Sequence, residues 1–243
     1  MYEINQSRYM DKLMEEREIL LNVYENLAGE EIYYSNPDGY ENYIYKSKEL
    51  YICQKRHWCK VKLCPVCEFR KQVRFYENIN KILNDMNKEY DFRFLTLTIK
   101  GCENYELVDK IADIMSSWNK LLDDNRMKET VKGYYRWLDI AYDKNNKIYH
   151  PHLHIIMAGD FIDKKELQNL WKKEMRLNYE PNIKIQRMTN IQSLSKYIIK
   201  KKRDYIIPDD NSTMKNAVKT LDGVLESCCI RNYGGIMKNY IKN

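Results

Sequence analysis

The sequence predicts an α+β fold: a ferredoxin-like, mostly antiparallel sheet of βαββαβ order plus one more helix, with an N-terminal helical and zinc-binding extension. Three observations predict it. After residue 90, alternating apolar segments interleave with segments of helical spacing. Two of the strand segments are joined by a turn-rich tetrapeptide, which makes them a hairpin. Ahead of them, four cysteines fall within fifteen residues.

In chain order, Ser7–Leu27 reads as a helix closed by Gly29, and residues 30–50, rich in Tyr, Asn and Gly, read as loop with short strands. From Pro65 to about Lys88 a long helix is expected, its stripe formed by Val66, Phe69, Val73, Tyr76, Leu83 and Met86. Phe92–Ile99 alternates as a strand, and Glu106–Asp124 carries a helical stripe of Leu107, Ile111, Met115, Trp118 and Leu122. Gly133–Tyr142 and Ile148–Met157 form the hairpin around Asp143-Lys144-Asn145-Asn146. Asp163–Arg176 is a helix with Asp163 and Glu166 as a capping pair. Asn182–Met188 completes the sheet, and Asn190–Arg203 forms the additional helix. The domains divide at residue 90: 1–90 for the extension and 91–243 for the sheet domain with a helical tail.

Composition narrows the class. The chain has 243 residues, 44% hydrophobic and 31% charged, as in an ordinary globular protein. No apolar run approaches the roughly 18 residues of a membrane span. The first residues, MYEINQSRYMDKLMEE, are too acidic for a secretory signal, so a cytoplasmic location and reduced cysteines are expected. The net charge of +6 is unevenly spread: seven Lys or Arg against Glu68 between Lys55 and Arg74, and five basic residues in the eight from Lys196 to Arg203. Such runs are either solvated helix faces or contacts for a phosphate backbone.

Cys53, Cys59, Cys64 and Cys67 follow a C-x5-C-x4-C-P-V-C pattern. A C-x2-C turn brings two sulfurs to one tetrahedral ion, and four thiols in polar surroundings are hard to explain as core. A closed, structural zinc site is expected, with Cys64 and Cys67 as its firm pair and either Cys53 or His57 completing it beside Cys59. Cys102, Cys228 and Cys229 read as core thiols.

Three histidines fall in His150-Pro151-His152-Leu153-His154. On a strand His152 and His154 share a face, while Leu153, Ile155 and Met157 point to the core. An even-length turn places Asp139 opposite His150 or His152, on the histidine face. Two imidazoles and a carboxylate form an open metal site suited to hydrolysis, redox chemistry or phosphoryl transfer. Pro151 cannot donate to the ladder, so a bulge or an unpaired position is expected beside it. Further on, Tyr197, Lys200 and Lys201 share one helix face. Tyr197 is either a core-facing ring or a nucleophile whose phenolate a lysine stabilises.

These segments together resemble the plasmid rolling-circle replication initiators of Gram-positive bacteria, within the HUH class of nicking enzymes (His, hydrophobic, His). WCKVKLCPVCEFRK is similar to the family's segment before its first motif, FRFLTLTIKG to that motif, and GYYRWLDIAYDKNNKIYHPHLHIIMAG to the metal motif. SLSKYIIK resembles the motif of the nucleophilic Tyr, and RNYGGIMKNY is a weaker match. The resemblance implies that His152, His154 and Asp139 hold Mn²⁺ or Mg²⁺, and that Tyr197 attacks single-stranded or hairpin origin DNA with Lys200 assisting. Lys196, Lys201, Lys202 and Arg203 would line the phosphates. A 5′-phosphotyrosine intermediate and a host polymerase are implied. A host helicase is implied too, because the chain has no phosphate-binding loop of its own. Asp139 stands where the family commonly has Glu, and Ser193 where it commonly has a Glu that activates water. Two other readings compete: an HUH nickase of the transposase or relaxase type, and a zinc-containing DNA-binding regulator that does not cleave.

Overall fold

The computed structural model describes residues 3–33, 36–53, 58–87, 89–188 and 211–241. The helices are α1 (Glu3–Tyr33), α2 (Pro37–Tyr51), α3 (Pro65–Met86), α4 (Leu107–Asp123), α5 (Asn125–Thr130), α6 (Lys164–Glu174), α7 (Asn211–Ser227) and α8 (Met237–Ile241). The strands are β1 (Phe92–Thr98), β2 (Val131–Asp143), β3 (Ile148–Gly159), β4 (Ile183–Arg187) and β5 (Arg231–Gly235). The chain divides into two compact units, Met1–Phe75 with Ile199–Asp222 and Tyr76–Ile198 with Gly223–Asn243. The first unit combines most of the extension with a late segment, and the division falls inside α3. The helix expected over 190–203 lies outside the described residues. No described helix is long and apolar enough to cross a membrane.

In the first unit, two expectations are corrected. Gly29 does not close α1, which runs on to Tyr33. An interior glycine costs about 1 kcal/mol relative to Ala, and the turns around it are held by other contacts. Leu27 and Ala28 are buried, and Glu30 and Glu31 pair with Lys215 and Lys219 of α7 at 2.5 and 2.9 Å. Residues 37–51 form α2 instead of loop and strands. The Asn-Pro-Asp-Gly that looks like a turn is a helix start: Asn36 accepts from the Gly39 amide, and Pro37, with its fixed φ, opens the first turn.

The two helices and α7 enclose a buried polar knot. Lys46 Nζ lies 3.0 Å from Asp222 Oδ2, and the Tyr24 hydroxyl donates to the same oxygen at 2.7 Å. The same helices share an apolar core that includes Leu13, Leu20, Leu27, Leu50, Met214 and Val218.

In the second unit the strand order is β4-β1-β3-β2-β5, with every neighbouring pair antiparallel. The first four strands reproduce the order that a ferredoxin-like chain requires, and β5 adds an edge that the sequence pattern concealed. Leu95, Leu97, Leu153, Ile155 and Met157 form one sheet face. They pack against Ile114, Trp118 and Leu121 of α4 and Leu167 and Trp171 of α6. The α4 stripe is thus centred on Leu107, Ile111, Ile114, Trp118 and Leu121, with Met115 and Leu122 at its flank. Asp163 caps α6 by accepting from the Lys165 and Glu166 amides, while the Glu166 carboxylate accepts from Arg126.

The β2–β5 edge depends on glycine. Gly234 faces Tyr134, where a Cβ would lie 2.0 Å from the ring, and Gly235 has φ +57. Of the cysteines expected in the core, Cys102 is buried and its thiol is pushed up to about 11, chiefly by desolvation. Cys228 is only half-buried and Cys229 is exposed, because they lie in the short connection between α7 and β5.

Removing one charge of the buried pair exposes its value. Lys46→Met removes the ammonium that faces the Asp222 carboxylate, leaving the Tyr24 hydroxyl against it, and is expected to cost about 3–5 kcal/mol in urea unfolding. Lys46→Met combined with Asp222→Leu is expected to recover most of that loss. A single variant no less stable than the double would show that the pair is not what holds these helices.

Candidate functional site

The β2–β3 hairpin sets the geometry of the histidine face. Asp143 pairs with Ile148, and the register continues unbroken to Asp139 opposite His152 and Trp137 opposite His154. Asp143 fixes the turn by accepting from the Asn145 and Asn146 amides and the Asn146 side chain, and Lys147 takes a left-handed φ of 56. Directly opposed residues share a face, so Asp139, His152 and His154 emerge together on the side away from α4 and α6. The imidazole centroids of His152 and His154 are 6.4 Å apart, and those of His150 and His152 are 6.5 Å apart.

His154 is the best-defined member. It is buried, with Phe94 stacked at 5.6 Å and Trp137 at 5.2 Å between ring centroids. Its Nδ1 lies 3.0 Å from Thr96 Oγ1. With the proton on Nδ1 donated to Thr96, the Nε2 lone pair faces Asp139, whose Oδ2 is 3.4 Å away. His154 Nε2 is buried and makes no hydrogen bond among the described residues. A buried imidazole nitrogen without a hydrogen bond, beside a carboxylate and oriented by a hydroxyl on the opposite ring nitrogen, fits a divalent cation. The set is more open than the thiol cluster: among the described residues only the four cysteines bring three or more donor atoms within 4.8 Å.

Pro151 creates no bulge. It pairs in register with Ile140, and the register shift of β2 falls at Val131/Gly133. On the other side, the β1–β3 ladder ends at Thr98–His152 and resumes only at the Cys102–Tyr149 bridge. Tyr149 exchanges both backbone bonds with Cys102. Backbone groups alternate sides along a strand, so the position of Pro151 also faces that gap, where no amide is needed.

Sequence reasoning missed the neighbours of His154 in its row. Reading across the registers, the row is Lys184, Thr96, His154, Trp137 and Arg231. The strand order, which the ferredoxin-like pattern implied, would have located Thr96 and Lys184; β5 and Arg231 carried no alternating signal.

The four cysteines converge in the first unit. All are buried, with Cys53–Cys64 at 3.7 Å and Cys53–Cys67 and Cys59–Cys67 at 3.5 Å. Four sulfurs about 2.3 Å from a tetrahedral ion stand roughly 3.8 Å apart, so the cluster can hold a metal. Hydrogen bonds from the other three thiols lower Cys53, while Cys64 is raised by its contacts with Cys53, Cys59 and Cys67 and by burial. Protons therefore crowd a cluster that a dication would discharge. Cys53 belongs to the set, and Arg17 Nη1 donates to its carbonyl at 2.5 Å. His57 lies outside the described residues, as do Ser193, Lys196, Tyr197, Lys200, Lys201, Lys202 and Arg203.

Residues 51–243 match the family described as replication protein. A "Protein rep" of Bacillus amyloliquefaciens is 29% identical over 220 residues, covering 76% of this chain and 64% of that relative. One from a Bacillus species is 28% identical over 220 residues, covering 76% and 71%. One from Staphylococcus aureus is 26% identical over 174 residues, covering 65% and 76%. The chain thus spans 64% of the length of the Bacillus amyloliquefaciens relative. No solved structure matches it.

The sulfur geometry predicts about one thiophilic ion per chain, measurable by elemental analysis of the purified protein. Cys64→Ser with Cys67→Ser is expected to abolish it, and His152→Ala with His154→Ala to leave it in place. Loss of that ion from the histidine variant would mean that the two donor sets are not independent.

Proposed function

Because the chain belongs to the replication protein family, we propose that it initiates rolling-circle replication of a plasmid by origin-specific nicking and joining of single-stranded DNA. The observation that carries this reading is the shared sheet face of Asp139, His152 and His154, with Asp139 directly opposite His152 and its Oδ2 3.4 Å from His154 Nε2. A divalent ion held by these three side chains, Mn²⁺ or Mg²⁺, would supply Lewis-acid polarisation of the scissile phosphate.

The protein's own groups do the rest. Tyr197 Oη attacks phosphorus in line, forming a 5′-phosphotyrosine and breaking the bond to the 3′ oxygen. That oxygen leaves as a hydroxyl, taking up a proton, and the phenol proton goes to solvent or a basic group. Lys200 stabilises the phenolate, which a free phenol of pKa about 10 needs at neutral pH. Lys196, Lys201, Lys202 and Arg203 neutralise phosphates beside the break, and Lys184 and Arg231 place cations at either end of the His154 row. The phosphodiester's energy is retained in the tyrosyl bond, so a later 3′-hydroxyl reverses the step without ATP.

A host polymerase extends the freed 3′ end and a host helicase opens the duplex. Cys53, Cys59, Cys64 and Cys67 would hold a structural Zn²⁺. Asp139 is one methylene shorter than Glu and serves the same role. Ser193 cannot act unaided as the base that activates water, so the reaction ends by transfer to a 3′-hydroxyl in preference to hydrolysis.

Incubation with Mn²⁺ and a single-stranded origin oligonucleotide is expected to give a denaturation-resistant protein–DNA adduct. Tyr197→Phe abolishes it while affinity stays within about threefold, and His152→Ala with His154→Ala lowers its rate by at least about a hundredfold. Binding without any adduct would favour a non-cleaving regulator. An adduct that survives Tyr197→Phe would move the nucleophile elsewhere.

A further inference from the structure

Exposed apolar side chains concentrate in the stretch of sequence that carries the first thiols. Of the eight large exposed hydrophobic residues among those described, Tyr45, Tyr51, Ile52 and Trp58 lie within fourteen positions around Cys53 and Cys59. Single exposed apolar residues need no explanation, but a cluster at a braced point of the chain does. The bracing comes from both sides: the Cys53 carbonyl accepts from Arg17, and the Lys60 amide donates to Glu49 at 3.3 Å.

Basic residues dominate the stretch from Trp58 to Arg74. Arg74 and Arg70 of α3 lie over the indole, with Cζ at 5.1 and 5.9 Å from its centroid. Lys60 and Lys62 are exposed, Lys71 is half-buried, and Glu68 is the one acid from Trp58 to Arg74. Guanidiniums beside an indole that remains 39% exposed offer two chemistries at once. The cations attract a polyanion, and the ring offers a stacking face to a planar group.

We propose that this face of the first unit, Trp58 with Arg70 and Arg74 beside the four thiols, is a binding surface for single-stranded DNA. An unpaired base stacks on the indole while the guanidiniums take flanking phosphates. A duplex would engage only the cations, because its bases are already stacked on each other. The inference does not rest on the strand-transfer chemistry proposed above, since none of these residues belongs to the histidine face.

Fluorescence anisotropy of the full chain with an end-labelled oligodeoxythymidine of about twenty nucleotides tests it. Trp58→Ala is expected to weaken binding about fivefold to a hundredfold, and Trp58→Phe to retain most of it. Arg70→Ala with Arg74→Ala is expected to reduce the slope of log K against log salt by about 1.4, the loss of two single-strand phosphate contacts. Ultraviolet crosslinking of the unaltered chain, mapped by peptide mass, is expected to mark the Trp58 peptide, and this needs no variant to fold. Unchanged affinity in Trp58→Ala, equal affinity for a duplex of the same length, or crosslinks confined to other peptides would each overturn the proposal. Any of these results leaves the Tyr197 adduct test intact, because Trp58→Ala keeps that tyrosine and the histidines.

Discussion

Everything on the histidine face depends on the parity of one hairpin. With Asp143 paired to Ile148, odd positions of β2 meet even positions of β3, and Asp139 lands opposite His152. A slip of one residue between the two strands would put the carboxylate and the imidazoles on opposite faces of the sheet. The register is overdetermined: the Asp143 turn fixes it at one end, and burial of Leu153, Ile155 and Met157 fixes it along the strand. The same force that builds the core therefore holds the polar set together.

Burial around His154 gives the set its chemical character. Phe94 and Trp137 remove water from the ring, and Thr96 takes its Nδ1 side. What remains is a nitrogen facing a carboxylate in a medium where their interaction with a cation is strong. The second donor set, the four thiols, lies in the other unit and is closed in all four positions, as a structural ion requires. One chain thus carries an open oxygen and nitrogen set and a closed sulfur set, whose preferences for metal differ.

Much of this was legible in the sequence, and the exceptions have identifiable causes. Loop parity located Asp139 without any structure, and the C-x2-C spacing found the thiols. α2 was hidden because Asn36-Pro37-Asp38-Gly39 serves equally as a turn and as a helix cap, and only packing decides between them. Gly29 looked like a stop, yet salt bridges from α7, some 185 positions later, carry the helix past it. β5 escaped because its glycines are dictated by the Tyr134 ring and a left-handed turn rather than by alternation. At Pro151 one of the two expected outcomes holds: there is no bulge, but the missing amide faces an unpaired break in the ladder. The Tyr197 segment lies outside the described residues, so its role rests on the family resemblance and on chemistry.

The central claim is that the paired histidines and Asp139 act as one cation site. Pulsed electron paramagnetic resonance of bound Mn²⁺ tests it most directly. The account predicts nitrogen couplings from two imidazoles that fall to one in either single histidine variant, with weaker Mn²⁺ binding in Asp139→Ala. A spectrum of fully hydrated Mn²⁺, or nitrogen couplings unchanged when both His152 and His154 are replaced, would contradict it.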